Sequence, residues 1–159
     1  MRLHGSKQRY YHSHIGINGR LDALQAAILS VKLKYLNEWS EKRRLVASYY
    51  STHLEGLPIR LPAIAPYNTH IFHQYVIAVS NRDALRSYLE QQGIESAIYY
   101  PVPLHLQQCF EYLGYKRGDF PESERAANEV LALPIFPEIT QEEQDFVIGH
   151  IKKFFKMTN

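Results

Sequence analysis

Cysteine is almost missing from this sequence. Cys109 stands alone among 159 residues, so no intrachain disulfide can form, and a single thiol fits the reducing cytoplasm. No apolar run approaches the roughly 18–20 residues that a membrane helix needs, so no membrane span is expected. Neither sign of charge dominates: 18 Lys and Arg face 16 Asp and Glu, for a net charge of +2 with His neutral. No basic stripe stands out, and no nucleic-acid partner is expected. Residues Met1 to Lys7 lack the apolar core of a signal peptide. Glycine is sparse and forms no phosphate loop after a strand; no Ser-His-Asp spacing and no paired carboxylates can be read either. His12 and His14 stand as His-x-His with His4 nearby, but no Cys or acidic cluster completes a ligand set, so no metal is expected. His70 and His73 have opposite parity, and a flat strand sends them to opposite faces.

What is present is an ordinary globular composition, 45% hydrophobic and 21% charged, with twelve Tyr and seven Phe. That suffices for one domain with a real core. Tyrosine combines packing area with a polar tip and suits interfaces and ligand sites.

Residues 1–17 show no hydrophobic period and read as a loop or extended arm. Asn18 is the expected N-cap of a helix over 20–36, with Leu21, Leu24, Ile28, Val31 and Leu36 on one apolar face. A polar loop feeding a helix start can hold an anion. Asn37 marks a break, and a second helix is expected over 38–55, so that 18–56 form one long helical segment. Pro58, Pro62 and Pro66 make the next stretch irregular. The remainder, 57–159, alternates: a strand over 70–79, a helix over 82–92 stopped by Gly93, and a strand over 94–99. A rigid Pro101–Pro103 segment, a short helix over 107–113, and a helix from Pro121 to about 131 follow. The last helix, about 141–155, opens on a Thr140/Glu143 capping box. The fold class expected is α/β, in the form of a small α+β-like domain with a mostly antiparallel sheet.

Four stretches, in order, carry a resemblance. Arg2-Leu3-His4-Gly5 precedes Asn18-Gly19-Arg20-Leu21-Asp22-Ala23-Leu24-Gln25-Ala26-Ala27. Gly93-Ile94 leads to Tyr100-Pro101-Val102-Pro103-Leu104-His105. Gly118-Asp119-Phe120-Pro121 with Glu124-Arg125 leads to Leu131-Ala132-Leu133-Pro134. Together they resemble the DegT/StrS family of nucleotide-sugar aminotransferases, which use pyridoxal 5'-phosphate (PLP) on the fold type I architecture. The resemblance covers nearly the whole chain and implies its C-terminal domain. The family's Schiff-base lysine, pyridine-facing Asp and ring-stacking aromatic belong to a larger N-terminal domain. Lys7, Lys32 and Lys34 match no lysine motif, so no catalytic residue and no covalent PLP binding are expected within these residues.

The resemblance also implies roles. Asn18 contacts the cofactor phosphate in a partner subunit, and its amide can donate without adding charge. Arg20 lies near the sugar, where a guanidinium fork suits a carboxylate or pyrophosphate. Tyr99, Tyr100 and His105 face the substrate. Tyr99 replaces the family's usual histidine and cannot carry positive charge near neutral pH.

Two readings follow. One is part of an aminotransferase that moves an amino group from an amino-acid donor to the keto group of a nucleotide-linked sugar. It acts in cell-surface polysaccharide or lipopolysaccharide synthesis, as a homodimer or with an N-terminal PLP domain. The signature is most like enzymes aminating UDP-linked 3-keto sugars, including keto-uronates. The other is a non-catalytic dimerisation or docking fragment from a truncated or split gene.

Overall fold

The computed structural model describes residues 6–8, 11–12, 17–19 and 21–158. His4, Arg9, His14 and Arg20 lie outside the described residues, as does the side chain of His12. The chain divides into two compact units, residues 1–38 and 39–159.

In the first unit, β1 (Ser6–Gln8) pairs antiparallel with β2 (Tyr11–His12), where the sequence reads as a loop or extended arm. The helix α1 (Ala23–Leu33) starts later than expected, and its cap is Asp22, not Asn18. Asp22 has extended backbone angles, and its Oδ1 accepts from the amides of Leu24 (2.8 Å) and Gln25 (3.4 Å). Aspartate caps as well as asparagine and also places its charge at the positive end of the helix dipole, which explains the shift. The break after α1 falls at Lys34–Tyr35 and not at Asn37. There the Tyr35 amide bonds Lys32 O at 3.0 Å, the tighter spacing with which helices commonly end. None of the α1 residues is buried.

The helix α2 (Leu36–Leu54) begins at that break. Within the second unit it buries Val46, Ala47, Tyr50 and Leu54, a spacing of three and four that lays one stripe on the core. The sheet has two strands, β3 (Tyr75–Ala78) and β4 (Val130–Leu133), paired antiparallel with Tyr75 opposite Leu133 and Ile77 opposite Leu131. These four side chains share one face by the two-residue period of a strand, and all are buried. Helix α3 (Arg82–Gln91) packs on β4 and on α5 (Gln141–Thr158), adding Leu85, Leu89, Ile151 and Phe154 to the core. Helix α4 (Pro121–Glu129) opens on its proline, as expected. The mixed helical fold with a small antiparallel sheet agrees with the expected α+β-like class.

Three local expectations change. The strand over 70–79 shortens to β3, because Phe72 takes a left-handed φ of 49° that breaks the pleat before it. The strand over 94–99 reduces to a single bridge between Ala97 and Ala132. The helix from Pro121 ends at Glu129, since Val130 turns to extended backbone and starts β4. Arg43 ties the sheet end to the loop before β3: its Nη1 donates to the carbonyls of Phe72 and His73 (each 3.2 Å) and Ile135 (3.0 Å).

Candidate functional site

Asn18 belongs to the first unit, and Tyr99, Tyr100 and His105 to the second. Asn18 is exposed and sits in an isolated β-bridge ahead of α1. Arg20, expected near the sugar, lies outside the described residues.

In the second unit, a cleft of about 500 Å³ opens between the segment from Tyr99 to Leu104 and α4, where Ser123, Ala126 and Ala127 form the facing wall. Pro101 and Pro103 fix φ along this segment and deny it regular structure. The tyrosines are therefore presented rather than packed away: Tyr99 is 42% and Tyr100 72% exposed. A cis peptide joins them, and their rings meet edge to face at 5.6 Å. Tyr99 also lines a second cavity of about 360 Å³ with His73, Gln74, Glu95 and Phe136. The phenols can donate and accept, and the cleft offers flat apolar surface between them and α4. Such a cleft suits a ring-bearing polar ligand.

His105 is placed differently from its tyrosine neighbours. Its side chain is only 7% exposed, and Nε2 stands 3.0 Å from Oε1 of Glu124, itself 12% exposed. A carboxylate only accepts, so Nε2 carries the proton of this bond. The same oxygen accepts from the Gly118 amide at 2.7 Å. That amide, reinforced by His105 and opposed by burial, holds the Glu124 carboxyl below the usual carboxylate range. The imidazole also lies against Phe120, with centroids 4.8 Å apart. Both residues stand in quoted motifs, but 19 positions separate them, and spacing alone does not reveal the pair.

A PLP site needs an imine-forming lysine, an acid for the pyridine nitrogen and donors for the phosphate. Lys32, Lys34, Lys42, Lys116, Lys153 and Lys156 are exposed, Lys152 is half-buried, and none lines the tyrosine cleft. The described residues therefore do not by themselves fit a complete PLP site; Asn18 supplies at most one phosphate donor. Among the described residues no group of three or more His, Cys, Asp or Glu could hold a metal ion.

Comparison with known proteins gives these features a setting. The model of the DegT/DnrJ/EryC1/StrS aminotransferase family matches residues 1–152. A pleiotropic regulatory protein of Geobacillus stearothermophilus is 48% identical over 159 residues, covering 98% of this chain and 43% of that protein. A UDP-N-acetyl-3-dehydro-alpha-D-glucosamine 3-aminotransferase of Acidithiobacillus ferrooxidans is 41% identical, covering 90% and 38%. A dTDP-3-amino-3,6-dideoxy-alpha-D-galactopyranose transaminase of Aneurinibacillus thermoaerophilus is 38% identical, covering 97% and 42%. The crystal structure of S. venezuelae DesV in complex with a ketimine intermediate superposes with a TM-score of 0.90 at 37% identity, covering 96% of this chain and 42% of that one. The chain thus spans about two fifths of the length of these proteins, and the match falls on their C-terminal part. The chain belongs to the DegT/DnrJ/EryC1/StrS aminotransferase family.

Proposed function

We propose that these residues are the C-terminal part of a PLP-dependent enzyme that transfers an amino group from an amino-acid donor to the keto group of a nucleotide-linked sugar. The observation that carries this reading is the family match over residues 1–152, with similarity to two named sugar aminotransferases. Both relatives' names put the amino group on carbon 3 of the sugar, one on a dTDP and one on a UDP carrier. That shared position supports a 3-keto sugar as substrate, in line with the signature's likeness to UDP-3-keto-sugar enzymes. We assign the reaction to the cytoplasm, to cell-surface polysaccharide synthesis, and to a homodimer.

When bound, PLP supplies the electron sink for the transfer. The residues of this chain bind and orient. The Asn18 amide donates to the cofactor phosphate, and the Arg20 fork takes a carboxylate or pyrophosphate of the sugar nucleotide. Tyr99 and Tyr100 offer ring faces and hydroxyls to the sugar from the cleft wall. The lysine comes from the larger segment that relatives of full length possess. The experiment is to join this chain to the lysine-bearing segment of a relative and offer 3-keto sugars on UDP and on dTDP. Amino transfer to one carrier at least tenfold faster supports the reading and names the nucleotide. No transfer to either, from a protein that retains PLP, opposes it.

The helix α1, none of whose residues is buried, favours a second reading, a docking or dimerisation fragment without turnover. It predicts association of the chain with a lysine-bearing segment but no amino transfer by the pair.

A further inference from the structure

The Tyr99–Leu104 wall and the α4 wall of the cleft come from stretches about twenty residues apart. Among the described residues, one side-chain hydrogen bond joins them: His105 Nε2 to Glu124 Oε1, at 3.0 Å. His105 follows the last residue of the first wall, and Glu124 follows Ser123 of the second. We propose that this pair is a clasp that sets the spacing of the two walls, making Glu124 and His105 positioning residues for the ligand of the cleft.

The geometry supports a fixed clasp. The same Oε1 of Glu124 also accepts from the Gly118 amide at 2.7 Å, which fixes the acceptor that His105 reaches. Phe120 packs on the imidazole and is backed in turn by Tyr115, with centroids 5.2 Å apart. The link from His105 to the tyrosines is stiff. Pro101 and Pro103 lock φ, and the amides of Leu106 and Gln107 close a 3₁₀ turn on Pro103 O and Leu104 O at 3.0 and 3.1 Å. A displacement at His105 is therefore passed along to Val102 and Tyr100 rather than absorbed between. His105 acts through the tyrosines and does not itself offer Nε2 to a ligand. Misplacing a binding group by about 1 Å can slow a reaction about a hundredfold, so such a clasp has functional weight.

The functional half of this inference rests on the proposed aminotransferase reading, and the test separates the two. Amide hydrogen exchange is measured on the 159-residue chain and on its Glu124→Ala, Glu124→Gln and His105→Phe variants. In Glu124→Ala and His105→Phe, the Leu106 and Gln107 amides should exchange about tenfold faster or more, while the β3 amides keep their wild-type rates. Glu124→Gln retains an acceptor oxygen and should stay within about threefold of wild type. In the rebuilt enzyme, Glu124→Ala should raise KM for the sugar nucleotide about tenfold with kcat nearly unchanged, and Glu124→Gln should restore it. Unchanged exchange at Leu106 and Gln107 in both clasp-breaking variants overturns the clasp. Equal acceleration of the β3 amides also overturns it, because the pair would then support the whole fold rather than one wall. A rebuilt wild-type enzyme that transfers no amino group overturns the aminotransferase reading instead, and the exchange result still decides the clasp.

Discussion

Asn18 and Asp22 stand four positions apart, and either side chain is chemically able to cap a helix. Asp22 does so because its backbone is extended where the first helical amides need an acceptor, which leaves Asn18 on the exposed loop ahead of the helix. The two substitutions should therefore separate. Asp22→Ala should weaken α1 by about 0.5–2 kcal/mol, read as lost helicity in the Cα chemical shifts of residues 23–33. Asn18→Ala should leave α1 intact and, in the rebuilt enzyme, weaken PLP retention by about 1.5–3 kcal/mol, the value of a hydrogen bond to a charged group. A second residue-level expectation concerns acid. The Gly118 amide lowers the folded-state pKa of Glu124 below its ordinary value of 4.5. The unfolded chain then binds the proton more readily, so the contribution of Glu124 is complete above that value and is lost as pH falls through the lowered folded one. Urea unfolding across that range should show a shallower acid limb for Glu124→Gln than for wild type. The rigid segment that presents Tyr100 was legible because Pro101 and Pro103 stand beside it, whereas Asn18 read as a helix cap and Tyr99 as the end of a strand. The Glu124–His105 pair was not, because a contact across 19 positions leaves no periodic trace.

At the scale of elements, what sequence reveals depends on whether the signal is local. The Thr140/Glu143 capping box forms as read, with Glu143 N to Thr140 Oγ1 at 3.2 Å and Thr140 N to Glu143 Oε2 at 2.8 Å. Gly93 takes φ 75° and stops α3 where expected. Both features are set within one helical turn of sequence. Strand β4 behaves differently. Val130, Leu131, Ala132 and Leu133 form a short apolar run directly after a helix, and periodicity cannot tell such a strand from one more helical turn. Pairing with β3 decides it. Leu131 is fully buried opposite Ile77, so Leu131→Ala should destabilise the fold by about 2–5 kcal/mol in denaturant titration. A cost near that of a surface substitution would mean that β4 is not part of the core. The apolar stripe of α1 was visible as periodicity, and none of its residues is buried.

At the scale of the whole molecule, α1 leaves large apolar side chains uncovered among the described residues, with Leu24 70% and Val31 58% exposed. Apolar patches of several hundred Å² usually mark interaction sites. The chain should form dimers or larger species by light scattering and bind a hydrophobic dye; a dye-silent monomer at high concentration would contradict this. On the proposed function, these residues bind and orient within a PLP enzyme whose lysine lies in another segment. The most direct measurement is borohydride trapping with PLP, on the chain alone and after mixing with the lysine-bearing segment of a relative, followed by mass mapping and assay with a nucleotide-linked 3-keto sugar. The account predicts no stoichiometric adduct on the 159-residue chain, an adduct on the added segment's lysine, and amino transfer by the mixture only. A stoichiometric adduct on one lysine of this chain, or a PLP-loaded mixture that leaves the sugar a ketone, would contradict it.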